Sequence, residues 1–357
     1  MASVQGEPRV IIHIGLHKTG TRFLQRMVFA QLDHRRVNYN PGPLWQAIRD
    51  AVRNPGDHEL AERARAEVAR WRTSGDSRDL LLSEPHISGD MYGSHHDYPQ
   101  NLQLMRELFP EATIIYFVRR QSDWLQSAYR QQLVKDQGAP IEVFLNWYDG
   151  AFHPRVARWA HGVRNVEAMT LQFLSIYRSY AAAYGPGNIY LFQQEDLRRR
   201  PEDVKRRLAE ALGIDQLPAP PRERSQNRSY SALAIYLFYP GVHRRLPRPG
   251  PDDAGRPSRP RRQLTGLLRR LRRTLIQHGF DKIVYRDWDL LARHGMREQI
   301  ERHYAGENAE LNRIAHVILD SGPEALNGLE HDRRNAPGPT RADSTAPAPG
   351  HSDRNPE

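Results

Sequence analysis

Val10-Ile11-Ile12-His13-Ile14-Gly15-Leu16-His17-Lys18-Thr19-Gly20-Thr21-Arg22-Phe23-Leu24-Gln25 is the stretch whose reading decides the fold. Its first part, with Arg9–Ile14 read as the strand, is a near-continuous apolar run, the pattern of a strand buried on both faces of a parallel sheet. A tight loop follows, then the start of a helix near Thr21. Gly15 and Gly20 let the backbone turn with its N–H groups pointing inward. The helix start adds a positive end, and Lys18 adds a full charge. This is the chemistry of a phosphate cradle. The chain has four lysines among its 52 basic residues, so a lysine here departs from its general use of arginine. The spacing differs from G-x-x-x-x-G-K-[ST], in which the lysine follows the second glycine; Lys18 lies two residues before Gly20. The plain alternative is an ordinary strand–turn–helix with a solvated lysine.

Strand and helix signals alternate outward from this unit. Asp79–Ser83, Ala112–Val118 and Asn188–Phe192 read as strands. Helical sequence runs from the loop to Leu32, over 58–72, Leu102–Phe109, 122–134 and 170–184, and from Pro201 to Gly213. The expectation is an α/β, P-loop-like three-layer fold: a mainly parallel central sheet flanked by helices, plus C-terminal helices. One domain is expected over 1–330, with its core at 9–240 and a basic, Pro/Arg-rich loop at 241–262. C-terminal helices are expected over 263–321. They comprise a basic amphipathic Leu264–Ile276, with Leu267, Leu268, Leu271 and Leu275 on one side, and a helical region at 286–321. The polar, proline-rich 331–357 reads as a disordered tail.

Composition narrows the classes. No apolar run reaches the roughly 18 residues of a membrane span, and Met1–Arg9 lacks a signal-peptide core. The absence of cysteine excludes disulfides and thiolate metal sites and suggests a cytoplasmic address. The net charge of +10 points to acidic partners, or to the arginine bias of a GC-rich genome.

A second anchor sits at the end of the third strand read from the sequence, in Val118-Arg119-Arg120. Ligands of open α/β sheets bind at the carboxyl ends of strands. An arginine fork there suits a second phosphate, and Ser127 on the next helix can reach the same group. Alternatively, Arg119 pairs with Glu107 or Asp123 and Ser127 is an ordinary helix position. A nucleoside-triphosphatase commonly places an acid at such a strand end to hold Mg²⁺, whereas two arginines stand here.

These two motifs carry a resemblance. Gly15-Leu16-His17-Lys18-Thr19-Gly20-Thr21-Arg22 resembles the 5′-phosphosulfate loop of sulfotransferases that use 3′-phosphoadenosine-5′-phosphosulfate (PAPS). Tyr116–Tyr129 resembles their 3′-phosphate element, in which a serine follows an arginine by eight residues, as Ser127 follows Arg119. Gln194-Glu195-Asp196-Leu197 is similar to a family element after a late strand. Arg120-Gln121 replaces the usual aspartate-proline. There is no counterpart of the C-terminal arginine-lysine-glycine motif of cytosolic members, which points to the bacterial or carbohydrate-acting branch. The resemblance implies nucleotide contacts from His17, Lys18, Thr19, Gly20, Thr21, Arg22, Arg119 and Ser127, with PAPS as donor, adenosine 3′,5′-bisphosphate as product and no metal.

Transfer to an acceptor hydroxyl requires a general base and charge stabilisation at the leaving oxygen, the task of Lys18. Glu84, directly after the strand Asp79–Ser83, is the first candidate base, because carbohydrate sulfotransferases use a glutamate in a comparable place. His86 is the second, since histidine titrates nearer neutrality and small-molecule members use one. Glu84 could equally be a capping or salt-bridged carboxylate. His13 reads as a strand residue packed under the loop. His95, His96 and Asp97 are read as solvated rather than metal-ligating. Asn227, Arg228 and Ser229 either approach the nucleotide or acceptor or cap the following helix.

Two other readings compete. A P-loop kinase or NTPase predicts Mg²⁺-dependent nucleotide binding. A nucleic-acid-binding protein, driven by the basic loop, predicts salt-dependent affinity, but the region lacks aromatic interleaving and no nucleic-acid partner is expected. The amphipathic helix 264–276 either packs on the domain or makes peripheral contact with an anionic surface, through 241–276. The acceptor, whether a glycan, a glycolipid or a small molecule, is not encoded in these motifs.

Overall fold

The structure, a computed structural model, describes residues 8–135, 139–154, 164–219, 230–243, 272 and 274–327. Its centre is a five-stranded parallel sheet in the order β2-β3-β1-β4-β7. The strands are β1 (Val10–Gly15), β2 (Val37–Tyr39), β3 (Asp79–Ser83), β4 (Thr113–Val118) and β7 (Ile189–Gln193). A small antiparallel hairpin, β5 (Trp147–Tyr148) and β6 (Ala151–Phe152), stands apart from it. The apolar runs lie where such runs belong: Ile11, Ile12, Leu81, Ile114, Ile115 and Leu191 are all fully buried between helical layers. Register is in step between β1 and β3, with Val10 opposite Leu80 and His13 opposite Ser83. Between β1 and β4 it slips after His13, so that Gly15 faces Tyr116.

The strand order sets where a ligand can enter. From β1 the chain lays β2 and β3 on one side, then crosses to β4 on the other. Such a switch opens a crevice at the carboxyl ends of the central strands. Because every pairing is parallel, the residues after β1, β3, β4 and β7 share one edge. Those residues are Leu16–Gly20, Glu84, Arg119 and Gln194–Glu195.

Several sequence expectations are corrected. The helix after β1 is not continuous to Leu32. It is α-helical at Thr21–Phe23, a π turn at Leu24–Val28 and 3₁₀ at Phe29–Gln31. A π turn inserts a residue into the helical repeat, and Phe29 goes inward, where its ring meets His13 at 5.3 Å and Tyr39 at 5.9 Å. The sequence reading assigned no element between 33 and 57, yet β2 and a helix at Gly42–Arg53 occupy it. Three strand residues are too few to show an alternation, and no side chain caps that helix. The region read as helical from 286 begins later, with 3₁₀ at Arg293–Gly295 and α-helices at Met296–His303 and Ala305–Ser321. Asp287 and Asp289, ahead of that start, bind Arg130 and Arg297. The expected helix 264–276 lies almost wholly outside the described residues, and Leu275–Phe280 at its end is a π turn. The expected tail and residues 227–229 also lie outside; Ser231 caps the helix Ala232–Phe238, accepting from the Ala234 amide at 3.0 Å. Among the described residues, no helix is long and apolar enough to cross a membrane.

Candidate active site

The β1 loop is built by its own small residues. Gly15 has φ +99°, and a Cβ there would come within 3.0 Å of Pro85 Cα and Cβ. Glycine therefore permits both the turn and the approach of the loop to the end of β3. Gly20 has φ +90° and starts the helical turn. The Thr19 and Thr21 hydroxyls both donate to the Leu16 carbonyl, at 2.7 and 2.8 Å. They brace the loop from within and leave its backbone amides as the groups it can offer a ligand. Phe23 and Leu24 donate their amides to the Gly20 carbonyl. Among the described residues, the amides of Gly20, Thr21 and Arg22 meet no backbone carbonyl, as the first amides of a helix must. Only three α residues precede the π turn, so these amides open a short turn and not a long helix. Arg22 is exposed beside them, and Lys18 sits at the loop's crest in the left-handed region, φ 67°.

The sequence alone did not reveal what pins this loop. Buried Trp124 donates its indole N–H to the His17 carbonyl at 2.7 Å. Trp124→Phe keeps most of the packing but strands that carbonyl. We expect a loss of about 1–3 kcal/mol in chemical denaturation; a change below roughly 0.5 kcal/mol, the range of an ordinary surface substitution, would show that the bond does not anchor the loop.

The end of β3 is tied from three directions. Ser83 Oγ meets His13 Nδ1 at 2.8 Å and accepts from Gln25 Nε2 at 3.1 Å, while the Ser83 amide donates to Asn40 Oδ1 at 2.8 Å. His13 is buried in the strand, and burial lowers its pKa to about 3, so it stays neutral beneath the loop. Glu84 follows, 2% exposed. Its Oε1 accepts from His86 Nδ1 at 2.6 Å and from the His86 amide at 3.2 Å, and Arg53 pairs with it at 3.4 Å. Burial pushes this carboxyl up, but the His86 hydrogen bond and the nearby His86 and Arg53 charges outweigh it and hold it below the usual range. Since Glu84 is ionised and can only accept, the shared proton sits on His86 Nδ1. Buried Asn101 donates to the His86 carbonyl at 2.8 Å and to the Val52 carbonyl at 3.1 Å. Glu84 and His86, read from the sequence as alternatives, are thus one hydrogen-bonded unit. The His17 ring meets His86 edge-on at 4.5 Å, which joins this unit to the Lys18 loop.

Arg119 follows β4, next to β1 in the sheet. The partners that would have made it an ordinary surface residue are engaged elsewhere: Glu107 binds Arg65, and Asp123 binds Arg297. Arg119 Nε is buried with no hydrogen-bond partner among the described residues. Burial lowers its pKa, with the charges of Asp123 and Glu195 opposing that. The Ser127 hydroxyl, two turns along the helix Gln121–Lys135, meets no partner among the described residues. Arg297 fixes the start of that helix through Asp123, Ser122 and Glu301, a role no motif announced.

His95, His96 and Asp97 diverge. His95 is buried against Trp124 and Phe173, and its pKa falls to about 3 through burial and the nearby His96 and His86 charges. His96 reaches the Thr170 carbonyl, and Asp97 accepts from the Asp90 amide. Among the described residues, no group of three such side chains could hold a metal ion.

Residues 8–218, more than half of the chain, match the family model described as "Sulfotransferase family". The chain belongs to the sulfotransferase family. No curated protein matches it. Solved structures similar to this sulfotransferase include a sulfotransferase from Alicyclobacillus acidocaldarius, 17% identical over 68% of this chain and 98% of that one, with a TM-score of 0.43. The sulfotransferase domain from the curacin biosynthetic pathway is 13% identical over 60% and 76% of the two chains, TM-score 0.32. The sulfotransferase domain of the Synechococcus PCC 7002 olefin synthase is 16% identical over 58% and 74%, TM-score 0.33.

Proposed function

We propose that this sulfotransferase takes its sulfuryl group from PAPS and transfers it to an acceptor hydroxyl of a glycan, glycolipid or small molecule. The observation that carries the donor assignment is Arg119. A half-buried guanidinium whose Nε is enclosed with no hydrogen-bond partner among the described residues, one strand from an amide-lined loop bearing Lys18, suits a ligand with anionic groups at two ends. In this reading Lys18, Arg22 and the amides of Thr19, Gly20 and Thr21 hold the 5′-phosphosulfate, with His17 shaping the loop. Arg119 and Ser127 hold the 3′-phosphate. The acceptor oxygen forms a bond to sulfur as the sulfur–oxygen bond to the 5′-phosphate breaks, and adenosine 3′,5′-bisphosphate leaves. Lys18 meets the charge that develops on the leaving oxygen.

The acceptor proton passes to the Glu84–His86 pair. Glu84 is almost fully enclosed, whereas the His86 side chain is 28% exposed. The imidazole is therefore the member an incoming hydroxyl meets, through Nε2, and the carboxylate keeps the other ring nitrogen protonated and stabilises the imidazolium. This reverses the order of the two candidates read from the sequence.

Calorimetric titration of the full chain tests the donor assignment. Adenosine 3′,5′-bisphosphate should bind without metal and more tightly than ATP with Mg²⁺. Arg119→Ala should weaken the bisphosphate roughly 10–100-fold, the worth of a charge-assisted hydrogen bond. Preference for ATP–Mg²⁺, or an unchanged affinity in Arg119→Ala, would overturn the reading.

A further inference from the structure

Among the described residues, two segments beyond the central sheet pack on one another and expose large apolar side chains. The helix Ala232–Phe238 and the stretch 275–288 are joined by Ser231 Oγ donating to Asp281 at 2.6 Å, by the Leu233 amide donating to the Arg286 carbonyl at 3.1 Å, and by edge-on contact of the Phe238 and Phe280 rings at 5.2 Å. Their outward side chains are large and apolar: Leu237 is 53% exposed, Leu275 61%, Ile283 83% and Trp288 45%. A single exposed leucine is unremarkable, but this many together mark an interaction surface.

The charge of the face identifies its partner. Each acidic residue of this stretch is engaged within the protein. Asp281 takes the Ser231 amide and hydroxyl, Asp287 binds Arg130 at 2.7 Å, and Asp289 binds Arg297. Lys282 and Arg286 are exposed among the apolar side chains. The intervening sequence, residues 244–274, carries eleven arginines against two aspartates. A surface of isoleucine, leucine and tryptophan, fringed by cations and stripped of free carboxylates, matches the interfacial zone of an anionic lipid bilayer. Apolar side chains enter the acyl boundary, tryptophan sits at headgroup depth, and the cations meet the lipid charge.

We infer that the face formed by Leu237, Leu275 and residues 282–288 docks peripherally on anionic membranes. The sequence offered such contact through 241–276 as an alternative to packing on the domain; the apolar part of the docking face lies largely beyond, at 282–288. The inference is independent of the donor assignment. The face is tied to the helix that bears Ser127 through Arg130 and through Gln126, which accepts from the Leu290 amide at 3.1 Å.

Co-sedimentation of the full chain with lipid vesicles tests this. It should pellet with phosphatidylcholine vesicles containing phosphatidylserine and stay in solution with phosphatidylcholine alone. The double variant Ile283→Glu/Trp288→Glu should lose on the order of tenfold or more in affinity, the worth of burying two such side chains. Lys282→Gln and Arg286→Gln should each cost roughly fivefold at low salt and much less at high salt. As a readout without acidic substitutions, brominated lipids in anionic vesicles should quench the protein's tryptophan emission, and Trp288→Phe should abolish most of that quenching. Absence of binding to anionic vesicles, or undiminished binding of the double variant, would overturn the inference. So would a dimer, seen by light scattering, that the double variant dissolves, because the face would then belong to a second copy of the chain.

Discussion

Lys18→Met should lower kcat for sulfuryl transfer about a thousandfold and weaken adenosine 3′,5′-bisphosphate binding far less. Methionine keeps the Cβ and most of the stem, so the left-handed backbone at φ 67° meets a side chain of similar demand. What disappears is the charge. Removing one preorganised donor from a developing oxyanion costs about 10²–10³ in rate, and a full cation in a loop of aligned amides belongs at the upper end. The bisphosphate keeps the amides of Thr19–Thr21 and the Arg119 anchor, so its affinity should fall no more than about tenfold, the worth of one modest interaction. Lys18→Arg should recover little, because a planar fork does not replace a compact ammonium at this position. Single-turnover measurements separate the chemical step from product release. Equal losses in kcat and in bisphosphate affinity would place Lys18 in ground-state binding and remove it from the leaving oxygen.

Glu84→Gln should lower kcat about a thousandfold while bisphosphate affinity stays within a fewfold of the parent, within the 10²–10⁴ range of general base catalysis. His86→Ala should cost a similar amount, and the double variant little more than either, because the two side chains act as one unit. Full activity in His86→Ala would give the base role to the carboxylate alone. Activity within tenfold of the parent in Glu84→Gln would leave His86 as the base without help from the carboxylate. The same variant has a thermodynamic signature. The Glu84 carboxyl is held below its ordinary range, so its contribution to stability is fully present above the unfolded value and is lost as pH falls through the lower folded one. Melting curves of Glu84→Gln should therefore show a shallower fall in stability between neutral and acidic pH than those of the parent.

Much of this site was legible because its parts follow strands, and strands of this kind announce themselves. Ile11, Ile12 and the runs at Asp79–Ser83 and 113–118 are apolar throughout because parallel strands are covered on both faces. Lys18, Glu84 and Arg119 could then be placed at strand ends by counting. Side chains that act across the fold carried no such mark. Arg53 ends a helix that the sequence reading did not assign, yet its guanidinium reaches Glu84. Trp124 looks like any core aromatic until its N–H meets the His17 carbonyl. Arg297 is one of forty-eight arginines, and only the fold gathers Asp123, Asp289 and Glu301 around it.

Local order along the chain determined the layer architecture, the loop with its misplaced lysine and the order of the anchors, because hydrophobic period and glycine placement act over a few residues. The tertiary structure alone decided that Glu84 and His86 are a single unit, that the threonine hydroxyls face inward, and that the acids of 281–289 turn away from an apolar face. The first two rest on hydrogen bonds spanning two to five residues, whose geometry is set by which side of the turn is buried. The third rests on ion pairs to Arg130 and Arg297, outside the segment itself; residue identity along the chain sets none of them.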